Sequence, residues 1–261
     1  MLSSLWRYRY FVIGSIKADF RARFARSRLG FFWIILHPII QSLIFAVVLA
    51  EVLGARLPQV EGKAAYPIYL LSGMAAWGLF SEILNRNVTI FIEQAAALKK
   101  IAFPRLCLPF IVWGTALVNH LVLLAAIVLI LLFIGHVPGV ATLAILPGIL
   151  IISMLAFGLG VFLGVLNVFA RDIGQVMTVV LQFWFWMTPI VYSKNVVPEK
   201  FRVILELNPM TPLVGIYQDA LLLNAWPSPA SLWPPVALAC VAVILSFVIF
   251  RRASPDLVDA L

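Results

Sequence analysis

Residues 106–134 read LCLPFIVWGTALVNHLVLLAAIVLILLFI, an apolar run with Asn119 and His120 inside it. A helix needs about 20 predominantly apolar residues to cross the hydrocarbon core of a bilayer. This run exceeds that length, and residues 97–105, with Lys99, Lys100 and Arg105, are predicted to form a compact basic loop before it. The segment therefore predicts a membrane-spanning helix with a basic flank at its start.

The same alternation of apolar runs and basic flanks recurs along the chain. Hydrophobic residues make up 63% of it and charged residues 11%, whereas a soluble domain is about half apolar and a quarter charged. We therefore expect an all-α integral membrane protein with six transmembrane helices and no soluble domain of ordinary size. The predicted spans are 31–50, 66–92, 106–134, 143–169, 176–191 and 232–250, within a transmembrane domain at 31–252.

The segments outside the spans differ in character. Residues 1–30 are basic and place Val12, Ile16 and Phe20 on one helix face, which predicts an amphipathic helix in the plane of the head groups. A plain basic flank is the alternative. Residues 192–231 are rich in proline and too apolar for a solvated loop, which predicts short re-entrant helices before the last span. Residues 253–261 are predicted to be a tail.

The distribution of basic residues predicts the orientation. Of the 19 Lys and Arg residues, 13 lie on the side of the two termini and 5 on the other side, while Arg86 lies within a span. The positive-inside rule then places both termini in the cytoplasm. Within the second span, Glu82 and Arg86 are four residues apart, so they are expected to pair on one helix face.

Two motifs inside the spans predict helix contacts. Gly160 and Gly164 have the spacing that lets two helices approach closely, within one subunit or between two. The sequence FWFW at 183–186 places four aromatic side chains in succession. Because successive residues of a helix point in different directions, these four rings cannot all line one channel.

The sequence does not contain the residue patterns that several functional classes of protein require. The sequence has no G-x-x-x-x-G-K-[ST] motif, so we expect no nucleoside triphosphate site of that kind. His37, His120 and His136 lie far apart, and no metal-binding or hydrolase motif accompanies them. A secondary transporter usually has ionisable groups at mid-membrane depth, and a membrane enzyme needs a cluster of acids or histidines. Both classes stay open as less favoured alternatives.

Five motifs, taken in order, carry a resemblance to a known family. They are RLGFFW at 28–33 with LHP at 36–38, KKIAFPR at 99–105, RDI at 171–173, FWMTPIVY at 185–192 and NPMTP at 208–212. In this order and on a six-span plan, the chain resembles the membrane subunits of type-2 ABC exporters over about residues 5–252. The resemblance is strongest to the branch that exports O-antigen, capsule and teichoic-acid polymers.

The resemblance implies a function and its partners. Such subunits are homodimers in the bacterial inner membrane. Two copies of a cytoplasmic ATPase bind to them, and ATP and Mg²⁺ bind to the ATPase. The implied substrate is a glycan carried on undecaprenyl diphosphate, with a small drug or a lipid as the alternative. The subunit itself is expected to perform no bond chemistry and to hold no metal.

The resemblance, together with the chemistry of the side chains, gives four sets of candidate residues. Coupling to the ATPase is expected at Lys99, Lys100, Phe103, Pro104, Arg105, Arg171 and Asp172. The substrate pathway is expected at Phe31, Trp33, Trp186 and Tyr192, and the outer gate at Pro189, Asn208, Pro209 and Pro212. The lipid diphosphate or head group is expected at Arg21, Arg26 and Arg28. An ordinary basic loop, an interfacial aromatic belt and an external lid are the respective alternatives for the first three sets.

Overall fold

The structure is a computed structural model of the chain, and it describes residues 6–26, 32–48, 64–100, 103–257 and 260. Within these ranges all regular secondary structure is helical, which confirms the predicted all-α class. The α-helices are α1 (Arg9–Arg26), α2 (Phe32–Ala46), α3 (Ala65–Glu93), α4 (Ala95–Lys100), α5 (Cys107–Phe133), α6 (Ile145–Phe169), α7 (Asp172–Met187), α8 (Glu199–Leu207), α9 (Met210–Gln218) and α10 (Pro229–Ala253). Short turns of 3-10 helix lie at Val140–Ala144 and Lys194–Val196, and a π-helical turn lies at Asp219–Leu223.

Four of the helices are long and apolar enough to cross a membrane. They are α3, α5, α10, and α6 together with the 3-10 turn before it. Helices α2 and α7 are shorter, at 15 and 16 residues, which is below the roughly 20 that a span requires. The chain is therefore a multi-pass membrane protein. The six-span count and the domain boundaries at residues 30 and 252 stay predictions.

Helix α3 lies at the centre of the bundle and packs against α2, α5, α6, α7 and α9. Its contact with α6 depends on small residues. A Cβ atom added to Gly160 would lie 2.7 Å from the Cβ atom of Asn87 and 3.2 Å from the Cα atom of Leu84, and Gly164 faces the backbone of Asn87. The predicted close contact of the glycine pair is confirmed, and it lies within one subunit. Gly158 gives α6 a second close contact, with Ala242 of α10.

The short helices between α7 and α10 are folded onto the end of the bundle where α3 begins. Thr188 is extended, with ψ 134°, as expected for a residue that precedes a proline, and α7 therefore ends before Pro189. Helix α9 is buried against α3 and α6 through Leu213, Val214 and Tyr217, while most of α8 is exposed. Two short helices thus precede α10, and their re-entrant position in the membrane stays a prediction.

Helix α1 packs across the start of α5. The side chain of Ile16 occupies the space beside Gly114, and the rings of Phe11 and Phe103 are 5.3 Å apart. Most of the other α1 side chains are exposed or half-buried. Helix α1 thus lies on the surface of the bundle, and its predicted position in the plane of the head groups stays a prediction.

One local prediction was wrong. Residues 97–105 were expected to form a loop, but their first part belongs to α4, Ala95–Lys100. The reason is local: alanine, leucine and lysine are among the strongest helix formers, and α4 has the sequence AAALKK. The charges of Lys99 and Lys100 indicated the surface correctly but did not exclude a helix.

Candidate functional site

A groove of about 820 Å³ runs between α2, α3, α5 and α7. Aromatic side chains form one part of its lining: Trp33, Phe45, Trp77, Phe185 and Trp186. Polar side chains form another part: His37, Gln41, Ser81, Glu82, Asn85, Asn119, His120 and Gln182. A groove with both kinds of surface can contact the flat apolar faces of a ligand and its hydrogen-bonding groups together.

The aromatic part of the groove is a set of rings in mutual contact. Phe45 meets Trp186 edge-on, with 6.3 Å between ring centroids, and Trp77 meets Phe185 in the same way at 5.7 Å. Such edge-to-face pairs hold rings in defined orientations. Trp186 nevertheless stays 51% exposed and Trp33 stays 50% exposed, so both indoles keep surface available to a ligand.

The polar part is centred on Glu82 of α3. Its Oε1 atom accepts a hydrogen bond of 2.7 Å from Asn119 Nδ2 of α5, and Arg86 Nη1 lies 3.4 Å from the same oxygen. The predicted pairing of Glu82 with Arg86 is confirmed. Arg86 Nη2 also lies 3.5 Å from Asp19 Oδ2, so the polar wall is connected to the basic helix α1.

The segment 188–192, which we call the partition, follows the groove residues Phe185 and Trp186 of α7. Tyr66 Oη donates a hydrogen bond of 2.7 Å to the carbonyl oxygen of Val191. Tyr69 Oη lies 2.9 Å from the carbonyl oxygen of Pro189, to which Gln218 Nε2 also donates at 3.1 Å. Donors from α3 and α9 therefore hold the backbone of the partition from two sides.

Asn208 fastens the partition to the start of α9. Its Oδ1 atom accepts hydrogen bonds from Trp184 Nε1 at 2.8 Å and from the Met210 backbone N–H at 3.0 Å. Its Nδ2 atom donates to Thr188 Oγ1 at 2.9 Å and to the Met187 carbonyl at 3.2 Å. Because Asn208, Thr188 and Met210 are buried, the bonds among these three residues satisfy polar groups that water cannot reach.

The match to known proteins extends over most of the chain. Residues 12–222 match the family described as ABC-2 type transporter. The chain belongs to the ABC-2 type transporter family. The resemblance drawn from the five motifs is thereby confirmed.

Individual relatives of this ABC-2 transporter chain carry informative names. The O-antigen export system permease protein RfbA of Myxococcus xanthus is 26% identical over 247 residues, which are 94% of this chain and 92% of that protein. RfbA of Klebsiella pneumoniae is 26% identical over 202 residues, 77% of this chain and 76% of that protein. The polysialic acid transport protein KpsM of Escherichia coli is 24% identical over 210 residues, 78% of each chain.

The structure brings some of the predicted pathway residues together. Trp33 and Trp186 of the ABC-2 transporter chain line the same groove. Tyr192 lies in the partition, where its hydroxyl donates a hydrogen bond of 3.0 Å to the Trp186 carbonyl. Phe31 lies outside the described residues. As expected, the aromatic side chains of 183–186 point in different directions: Phe183 is 67% exposed, whereas Trp184 is directed to Asn208.

The predicted gate residues lie together around the partition. Pro189 belongs to it, Asn208 bonds to it, and Pro209 and Pro212 begin the segment of α9 that packs behind it. Of the predicted diphosphate residues, Arg21 is the one whose side chain the structure describes. Arg21 is exposed on α1, the side chain of Arg26 is not among those described, and Arg28 lies outside the described residues.

The predicted coupling residues lie at the opposite end of α3. Lys99 is exposed on α4, Phe103 packs on Phe11, and Arg105 Nη1 donates to Ser254 Oγ at 3.3 Å. Of the other predicted coupling residues, Pro104 is half-buried, and Arg171 and Asp172 are exposed at the start of α7. The side chain of Lys100 is not among those that the structure describes.

Several residues of the groove were not predicted from the sequence. Gly78, Ser81, Glu82 and Asn85 have the spacing of one helix face, and all four line the groove. A polar stripe of this kind inside an apolar helix was a usable signal. Phe45 and Trp77 had no such signal, because a single aromatic residue in an apolar helix is as common in a core as in a channel.

Proposed function

We propose that this chain is the transmembrane subunit of an ATP-driven exporter that moves an undecaprenyl-diphosphate-linked polysaccharide of the O-antigen type across the bacterial inner membrane. The observation that carries the proposal is the groove between α2, α3, α5 and α7, with its exposed indoles and its polar wall. The names of the relatives, which are O-antigen and polysialic acid transport proteins, point to the same class of substrate.

The lining of the groove suits a saccharide. Sugar rings have apolar faces that stack on indoles, and their hydroxyl groups both donate and accept hydrogen bonds. Trp33 and Trp186 offer the stacking surface, while Gln41, Glu82 and Asn119 offer hydrogen-bonding groups on the facing helices. Contacts of this weak, repeated kind allow a polymer to advance, because each sugar must bind and then leave.

The groove also supports a homodimer. Asn85 is exposed, and Glu82 is half-buried beside it in the groove. Polar side chains that face lipid are unfavourable, whereas they are common where helices enclose a water-filled cavity. A second copy of the chain, placed against the apolar flanks of α2 and α7, would close the groove into a pathway. In this proposal both termini of each copy lie in the cytoplasm, because the distribution of basic residues predicts that orientation.

ATP hydrolysis belongs to a partner in this proposal. Two copies of a cytoplasmic ATPase bind ATP and Mg²⁺ and dock on the coupling residues around α4 and the start of α7. Lys99 and Arg105 are cations that can pair with carboxylates of the partner. A displacement there reaches the groove through two contacts, Phe103 on Phe11 and Asp19 on Arg86.

The two ends of the pathway have separate tasks. Arg21, Arg26 and Arg28 bind the diphosphate of the lipid carrier at the cytoplasmic head groups, where guanidinium groups match phosphate oxygens. At the other end, the partition with Pro189, Asn208, Pro209 and Pro212 acts as the outer gate, and it opens when the glycan is driven through.

A pull-down from native membranes tests the proposal. The tagged chain is solubilised in mild detergent, and the co-purifying proteins are identified together with their amounts relative to the bait. We expect an ATPase with a P-loop in a one-to-one ratio and a bait that migrates as a dimer. A deletion strain for this chain should at the same time lose its surface polysaccharide. A chain that is recovered without any ATPase, from membranes in which a known ABC complex stays intact, would contradict the proposal.

A further inference from the structure

A second cavity, which we call the outer cavity, lies beyond the partition. It has a volume of about 710 Å³ and is enclosed by residues 193–195, α8, α9, the π-helical turn and the start of α10. Its wall includes Tyr69 and Pro189, the pair that holds the partition. On α3, Tyr69 precedes the groove residue Met74 by five positions, which is about 7.5 Å along a helix. In chain order the partition lies between Trp186, which lines the groove, and Ser193, which lines the outer cavity.

The lining of the outer cavity combines two acidic and two basic side chains with one exposed tryptophan. Trp226 is 60% exposed and lines the cavity. Asp219 and Glu206 supply acceptors, while Lys194 and Arg202 supply donors. Burial raises the pKa of the Asp219 carboxyl above its ordinary value, and the nearby Lys194 ammonium partly offsets that rise. The cavity thus combines an aromatic face with acids and bases in equal number.

This combination selects among ligand classes. A phosphate or another strongly anionic group would be repelled by the carboxylates of Asp219 and Glu206, and a plain apolar molecule would make no hydrogen bonds to the four charged side chains. A neutral sugar suits all of them, since each hydroxyl group can donate to a carboxylate and accept from a cation. The size also fits, because sites for small ligands typically occupy about 300–1,000 Å³.

We propose that the outer cavity is a saccharide-binding subsite that holds a neutral sugar unit of the glycan after it has passed the partition. The indole of Trp226 stacks on the sugar ring, and Asp219 accepts hydrogen bonds from its hydroxyl groups. The subsite rests on the proposed function, because only a glycan exporter would deliver sugars to this side. It gives the exported segment a place to bind, which opposes its return through the partition.

Oligosaccharide binding to the purified full chain tests the subsite. The probes are mannotriose, galactotriose and the trimer of N-acetylglucosamine, and saturation-transfer NMR in detergent measures binding. We expect saturation transfer to at least one trimer. The apparent affinity should fall about tenfold in Trp226→Ala, as expected for the loss of one well-packed aromatic contact, and should also fall in Asp219→Asn. Trp226→Phe should retain most of the binding, because it keeps an aromatic face.

Matched variants separate the outer cavity from the groove. Trp233→Ala removes an exposed tryptophan of α10 that does not line the outer cavity, and it should leave binding unchanged. If Trp186→Ala abolishes the signal and Trp226→Ala does not, the sugar binds in the groove; the subsite is then overturned while the proposed function stands. If none of the three trimers binds, the subsite is likewise overturned, and the pull-down with the ATPase still decides the proposed function.

Discussion

Tyr69 and Pro189 are joined across the partition: the tyrosine hydroxyl of α3 lies 2.9 Å from the proline carbonyl oxygen. The contact connects the central helix of the bundle to the backbone that follows α7. The Tyr69 hydroxyl also lies 2.9 Å from the Tyr192 carbonyl oxygen, and its one proton can serve only one of the two carbonyls. Gln218 donates to the Pro189 carbonyl oxygen from α9 at 3.1 Å, so Tyr69 and Gln218 together can satisfy both carbonyls.

Removal of these two donors should be additive. Tyr69→Phe leaves one of the carbonyls of Pro189 and Tyr192 without a donor, and so does Gln218→Leu. Each variant should therefore lower the thermal stability of the detergent-solubilised protein by about 1–3 kcal/mol, and the double variant, which strands both carbonyls, by about the sum of the two. Tyr8→Phe, just before α1, is the control for loss of a hydroxyl. Melting temperatures that stay unchanged in both single variants would contradict these bonds.

Asn208→Ala should destabilise the segment between α7 and α10. The substitution removes the acceptor of the buried Met210 N–H and of the half-buried Trp184 Nε1, and a buried polar group left without a partner costs about 1–3 kcal/mol. We expect a clear loss of melting temperature and more rapid proteolysis between residues 188 and 228. Asn195→Ala, in the exposed turn before α8, should behave as the unchanged protein. Equal melting temperatures for the two variants would contradict the role of Asn208.

Trp186→Ala and Phe183→Ala form a matched pair on α7. Both residues are exposed aromatics within one turn, but only Trp186 lines the groove. We expect Trp186→Ala to reduce the surface polysaccharide of the host several-fold at equal expression, because a stacking surface in the pathway is lost. Phe183→Ala should export normally. The pathway assignment fails if the two variants export equally well.

Gly160→Ala should weaken the bundle from within. The new methyl group would lie 2.7 Å from the Asn87 Cβ atom and 3.2 Å from backbone atoms of α3, and overpacking of this kind costs about 1–3 kcal/mol. Gly14→Ala, on α1, meets nothing within 4 Å, and it should be neutral or stabilising by up to about 1 kcal/mol. Thermal unfolding of the two variants in the same detergent provides the measurement.

Alanine at Lys99, Lys100 and Arg105 together should weaken binding of the ATPase. A charge-assisted hydrogen bond contributes about 1.5–3 kcal/mol, so the loss of even one such bond lowers the affinity by about tenfold or more. Titration of the purified ATPase against the reconstituted chain, with ATP hydrolysis as the signal, measures the change. Lys200→Ala, at the other end of the bundle, should leave the titration unaltered. Identical curves for all three proteins would remove these residues from the coupling surface.

Much of the architecture follows from short-range patterns. The helix α5, the close helix approach at Gly160 and the pair Glu82–Arg86 all depend on composition or on spacings of three to four residues, which a single sequence displays, whereas the partner of Gly160 was not predicted. The hydrogen bond from Tyr69 to Pro189 joins positions 120 residues apart, and no local pattern marks it. The same holds for Asn208, whose motif was visible while its four partners were not.

The glycine contacts of α6 divide the bundle into parts of unequal rigidity. At Gly158, Gly160 and Gly164 the backbones of three helices approach so closely that α3, α6 and α10 have little freedom to slide. Helix α7, by contrast, has only Met177 and Leu181 among its buried side chains. A movement that widens the groove therefore breaks the fewest packing contacts when α7 moves away from the bundle. The helices α3, α6 and α10, which are in close contact at the glycines, then keep their relative positions.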